Sequence, residues 1–153
     1  MNIIQKAEQF ARKAHAGQKR KDGKDYFTHV KAVADIVTMD WFRLIPRPAQ
    51  DNWGQHAKHV IAAAYLHDVI EDCGVTMQQL IDEGFSVMTA EIVDALSRKP
   101  GETYFDFIMR LHEGGPFRTG MVVIKLADLE HNMSDLKEGS LKDKYRLAHY
   151  ILI

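Results

Sequence analysis

The chain has 153 residues, the size of one domain, and a formal net charge of -1 with neutral histidines. A charge this even gives no global field for nucleic acid or an anionic membrane surface, although a small nucleotide needs only a local basic cluster. The single cysteine, Cys73, excludes an internal disulfide. No stretch approaches the ~18 apolar residues of a membrane span. Met1 to Phe10 also lacks the basic start and apolar run of a secretory signal. The expectation is one soluble cytoplasmic domain over residues 1–153, with neither a membrane nor a nucleic-acid partner and with its oligomeric state open.

In chain order, Ile3, Ile4, Ala7, Phe10, Ala11 and Ala14 fall at helical spacing, and Gly17 follows as a stop. A basic loop, Gln18 to Asp25, leads to a second helix starting near Thr28. Residues 40–51, with Trp41, Pro46 and Pro48, read as an irregular loop. A third helix runs from about Asn52 to Glu71, and its segment Val60 to Leu66 is apolar enough to be buried on most sides. Thr76 with Gln79 fits a capping box, closed by Gly84. Ser86 and Thr103 fit the caps of two further helices, separated by the break at Pro100-Gly101. After Gly114-Gly115-Pro116, residues 117–135 and 140–153 complete the pattern. Met121 to Ile124 is a β-branched run that also reads as a buried strand, but Lys125-Leu126-Ala127-Asp128-Leu129 favours a helix. About eight helices without period-two alternation predict an all-α bundle.

Three clusters carry chemistry. His67-Asp68-Val69-Ile70-Glu71-Asp72 closes the apolar third helix. On a continuous helix His67 stacks over Glu71 and Asp68 over Asp72, and all four fall within one sector of ~140°. Burying them beside Ala63, Tyr65 and Leu66 is costly without a compensating charge, which a divalent cation supplies. Asp128 and Asn132 share a face after another buried run. His29 stands where the second helix opens, behind Tyr26.

The order of these elements resembles the HD superfamily of phosphohydrolases: an isolated His29, the doublet His67-Asp68 and a distal Asp128. More narrowly it is similar to the hydrolase domain of the RelA/SpoT alarmone enzymes and to the small stand-alone alarmone hydrolases. The narrower likeness is carried by Arg20-Lys21-Asp22-Gly23 leading to Tyr26 and His29, by the box from His67 to Asp72, and by Leu126-Ala127-Asp128 with Asn132 four residues on. Asp25 and Val30 depart from it, standing where that family usually has proline, and Ser134 departs near the same pocket.

The resemblance implies a metal held by His29, His67, Asp68 and Asp128, with Mn2+ as the ion. The ligand types alone fit Mn, Fe, Co, Ni or Zn equally. It implies that Glu71 and Asp72 orient and deprotonate a water, and that Arg20, Lys21, Tyr26 and Asn132 contact a nucleotide. The implied reaction removes the 3′-pyrophosphate of guanosine tetra- or pentaphosphate. A related phosphatase acting on NADPH or another nucleotide is the rival enzyme reading, and a nucleotide-sensing domain without catalysis is the rival of another class. Lys24, Arg98, Lys99 and Lys125 are further candidates for phosphate contact, with a solvated surface position as the favoured reading of each. His15, His56, His59, His112, His131 and His149 are read as structural or surface residues, and Cys73 as a non-nucleophile.

Overall fold

The computed structural model describes residues 1–153. It contains ten helical segments and no strand: α1 (Ile3–Ala14), α2 (Tyr26–Leu44), α3 (Arg47–Gln50), α4 (Trp53–Leu66), α5 (Val69–Cys73), α6 (Met77–Asp82), α7 (Val87–Ala95), α8 (Tyr104–Glu113), α9 (Arg118–Ser134) and α10 (Ser140–Leu152). The all-α expectation holds, and the count exceeds eight because α3 and α5 are short segments that the hydrophobic pattern does not separate from their neighbours. The Met121 to Ile124 run is helical and buried within α9.

Helix α4 forms the centre because Val60 to Leu66 are all buried, leaving it no solvent face over that stretch. It packs against α1, α2, α7 and α9, while α10 closes the far side on α8 and α9. Ala7 and Ala11, one turn apart on α1 and fully buried, present only methyl groups and let α1 lie close on α4. Gly120 does the same for α9: a Cβ there would meet Ile92 Cδ1 at 2.8 Å and Val60 Cγ2 at 3.2 Å. The caps read at Thr76, Ser86 and Thr103 are present, each side chain accepting the amide three residues on.

Two expectations are corrected. Residues 40–51 are not an irregular loop. Helix α2 runs on to Leu44, tied to α9 by a two-pronged pair from Arg43 to Glu130 at 2.7 and 3.2 Å, and Trp41 stacks on Trp53 at 5.2 Å. Pro46 then ends the helix and opens α3. The third predicted helix does not run unbroken from Asn52 to Glu71 either, because it stops at Leu66 and resumes at Val69. The His67 Nδ1 lies 2.7 Å from the Ala64 carbonyl oxygen, the same oxygen that a continuing helix offers to the Asp68 amide. Asp68 takes φ -107° and ψ 0°, which swings the next turn aside.

Candidate metal centre and adjoining cleft

The break at residues 67–68 decides what the doublet does. His67 is 3% exposed and the Asp68 carboxylate faces inward, while Glu71 and Asp72 on α5 stand at the rim, open to solvent. The four groups therefore do not share one buried sector of a single helix; two point in and two flank the opening. α2 supplies His29 and α9 supplies Asp128, and both are buried.

One ligand atom from each of His29, His67, Asp68 and Asp128 lies within 4.8 Å of every other. The His29 Nε2 is 2.9 Å from Asp128 Oδ1 and 3.8 Å from Asp68 Oδ2. The His67 Nε2 is 3.0 Å from Asp68 Oδ2 and 3.6 Å from Asp128 Oδ1. Donors bound at about 2.1 Å to one ion are separated by roughly 3.0–3.4 Å in octahedral or tetrahedral arrangements, so this spacing fits. Both imidazole Nε2 atoms are buried without a hydrogen-bond partner, the condition of ligands aimed at a common point. Two imidazoles, neutral when they ligate, and two carboxylates carry a charge of about −2, which a divalent ion cancels.

The surrounding groups fix this arrangement. The Ala64 carbonyl accepts the His67 Nδ1 proton and leaves the Nε2 lone pair facing the site. The Tyr26 hydroxyl donates to Asp68 Oδ2 at 2.6 Å, and burial together with the Asp68 charge drives its own pKa up. Asp128 accepts from Lys125 Nζ at 2.8 Å and from Asn132 Nδ2 at 3.0 Å. Burial opposes ionisation of both aspartates, yet each stays charged. Lys125 and the two imidazoles hold Asp128 well below the usual carboxylate range. The His67 charge holds Asp68 down at about 2. His67 itself, which burial alone would push down, is carried well above its ordinary value chiefly by Asp68. Lys125 and His131 are the residues sequence reasoning missed. Lys125 is not solvated, because its place three residues before Asp128 turns it inward over the Phe107 ring. His131, three residues after Asp128, sets its Nδ1 2.7 Å from the His29 Nδ1. The i, i+3 spacing on either side of Asp128 was the available signal for both. Burial lowers the pKa of His131, with the His29 imidazole and Arg20 adding to the effect.

At the rim, partial burial and then the Asp68 charge raise the pKa of both Glu71 and Asp72. Asp72 is steadied by Gln18, whose Nε2 donates to Asp72 Oδ2 at 3.1 Å while its Oε1 lies 2.8 Å from the His15 Nδ1. Cys73 sits 3.4 Å from that imidazole, and burial followed by the Asp72 charge pushes its thiol up. Lys24 stays exposed, Arg98 turns to the Glu102 carbonyl and Lys99 pairs with Asp94.

Beside the cluster lies a cleft of about 540 Å³ whose walls include Arg20, Lys21, Tyr26, Asn132, Asp135 and Tyr145. The basic loop forms its edge as a small hairpin: Lys19 bridges to Asp25, the Arg20 amide donates to the Lys24 carbonyl, and Gly23 takes φ +87°, a region that suits glycine. All four residues expected to meet a nucleotide thus line one cleft. Asn132 joins it to the metal cluster, because its side chain touches both Asp128 Oδ1 and, at 3.4 Å, Arg20 Nη2.

Helices that converge a lone histidine, a His-Asp doublet and a distal aspartate define the architecture of an HD domain. The HD domain family matches residues 7–105, which include His29, His67 and Asp68, and the chain belongs to that family. Over 145 residues, 89% of the chain, it is 38% identical to the guanosine-3′,5′-bis(diphosphate) 3′-pyrophosphohydrolase of Haemophilus influenzae. It is 33% identical over 94% of its length to the bifunctional (p)ppGpp synthase/hydrolase SpoT of Escherichia coli K12. The chain covers 19% of each of these relatives. The fold is shared with a solved metazoan ortholog of SpoT described as hydrolysing ppGpp, at a TM-score of 0.72 and 18% identity over 99% of this chain and 84% of that one.

Proposed function

We propose that this chain is a metal-dependent hydrolase that removes the 3′-pyrophosphate from guanosine tetra- or pentaphosphate, with Mn2+ held by His29, His67, Asp68 and Asp128. The observation that carries the reading is the continuity of the four-ligand cluster with the basic cleft through Asn132. The activity for which these relatives are named agrees with it.

When bound, the ion supplies Lewis-acid polarisation of a phosphoryl oxygen and acidifies water. The protein's own groups do the rest. Arg20 and Lys21 at the cleft edge grip the nucleoside end, where a guanidinium can fork onto phosphate or stack on a base. Tyr26 and Asn132 keep Asp68 and Asp128 oriented where the cleft meets the cluster. Glu71 takes the proton of the attacking water, a role that its raised pKa suits, and Asp72, held by Gln18, orients that water. Water attacks the phosphorus next to the ribose 3′ oxygen and that P–O bond breaks. The proton taken up by Glu71 passes to the departing 3′ oxygen to form the hydroxyl, and pyrophosphate, carrying the oxygen of the water, leaves as one unit.

Incubation with Mn2+ and guanosine tetraphosphate should yield GDP and pyrophosphate, with GDP and GTP poor substrates. Orthophosphate as first product contradicts the reading. No turnover of guanosine tetraphosphate, with phosphate released from NADPH or a nucleoside monophosphate, transfers the site to the rival phosphatase. Tight binding of guanosine tetraphosphate without turnover of any of these transfers it to a sensing domain.

A further inference from the structure

We propose that His131 is a positioning residue for the metal ligand His29: its Nδ1 accepts the His29 Nδ1 proton and so keeps the His29 Nε2 lone pair directed at the ion. The inference rests on the metal reading above and goes beyond it by assigning the partner that selects the ligand's tautomer.

The two Nδ1 atoms lie 2.7 Å apart, so one must carry the proton and the other must accept it. His29 is 1% exposed, and its Nε2 faces the two aspartate oxygens without a hydrogen-bond partner. A nitrogen that binds a metal needs its lone pair, so the His29 proton belongs on Nδ1 and His131 is the acceptor. The opposite tautomer would aim an N–H at the ion's place. His67 meets the same requirement differently, because the Ala64 carbonyl can only accept and so permits only one neutral tautomer. His29 has no such backbone partner, and its tautomer is set by a side chain that α9 delivers. Asp128, His131 and Asn132 fall three and four residues apart on α9, so one face carries a ligand, the partner of a second ligand and a wall of the cleft. The two rings are tilted at 35° with centroids 4.9 Å apart, and their in-plane nitrogens approach at hydrogen-bond distance.

The test uses three variants whose acceptors differ in position. The Asn Oδ1 is attached at Cγ, as the His Nδ1 is, so His131→Asn keeps an acceptor near the same place. His131→Gln carries its oxygen one bond further out, and His131→Leu has none. Mn2+ affinity is read from the free-ion EPR signal in a titration of the metal-stripped protein, and the visible spectrum of the Co2+ form reports the ligand field. His131→Leu and His131→Gln should bind Mn2+ about 10- to 100-fold more weakly, the range for loss of a partner behind a ligand. His131→Asn should bind close to wild type with an unchanged Co2+ spectrum. Wild-type affinity in the Leu or Gln variant, or an Asn variant as weak as Leu, overturns the proposal. If the Leu variant fails to fold, the comparison of Asn with Gln decides. Wild-type protein that binds neither ion removes the metal reading and this inference with it; tight wild-type binding left unchanged in the Gln variant removes the inference alone.

Discussion

Replacing Asp128 by asparagine tests the electrostatics of the cluster apart from catalysis. Both carboxylate oxygens accept: Oδ2 from Lys125 Nζ at 2.8 Å and Oδ1 from Asn132 Nδ2 at 3.0 Å. An amide has one oxygen and one N–H2, so either orientation sets donor against donor. The Lys125 side chain is only 14% exposed and keeps its charge beside a neutral partner. Removing one member of a buried ion pair costs about 3–5 kcal/mol. For a chain of this length each kcal/mol moves the melting temperature by roughly 2–4 °C, which places the drop between about 6 and 20 °C. The low end is expected, because Glu71 at the rim attracts the same ammonium. The assay is thermal and urea denaturation in chelator, where metal binding cannot contribute. Asp68→Asn should lose the metal equally but lose less stability, since its partners are the Tyr26 hydroxyl and the His67 imidazole, and burial returns that imidazole to its neutral form once the carboxylate is gone. Adding Lys125→Met to Asp128→Asn should recover about 2 kcal/mol, within the range of couplings between residues in contact. Wild-type stability of Asp128→Asn in chelator, or no recovery in the double variant, would refute the reasoning.

Three further outcomes follow from the same contacts. Lys125→Met removes a positive charge that favours the ionised form of Glu71, so the Glu71 pKa rises further and the acidic limb of kcat/KM moves to higher pH; an unmoved limb separates Lys125 from the proposed base. Arg20→Ala should raise KM for guanosine tetraphosphate more than it lowers kcat, the pattern of lost uniform binding, and an unchanged KM would return the loop to solvent. Glu102 forms a two-pronged pair with Arg110, which also caps the carbonyls of Ala95 at the end of α7 and of Ser97 beyond it, and this pair holds the Glu102 carboxyl at about 2 against an ordinary 4.5. Its contribution is therefore full above pH 4.5 and lost as the pH falls toward 2, so the stability gap between wild type and Glu102→Gln should be present at pH 7 and close below pH 3.

The sequence by itself determined the helical class, three of the four side-chain helix caps and the identity of the four converging side chains. Thr76, Ser86 and Thr103 are local signals, since a cap is a bond between residues three apart and needs no tertiary partner. The apolar runs before His67 and Asp128 likewise announce burial through their own composition. The interruption after Leu66 was illegible, because residues 52–71 keep helical spacing throughout and the turn at residues 67–68 takes shape with His67 lodged in the core. Residues 40–44 misled in the same way: Pro46 and Pro48 suggest a loop, but Arg43 on Glu130 and Trp41 on Trp53 extend α2 through partners about 87 and 12 residues away. Lys125 and His131 each read as ordinary surface residues of a helix. What makes one a buried counter-ion and the other the neighbour of His29 is that α2, the end of α4 and α8 close over the face of α9 carrying Asp128, a fact of packing that no residue of α9 encodes alone.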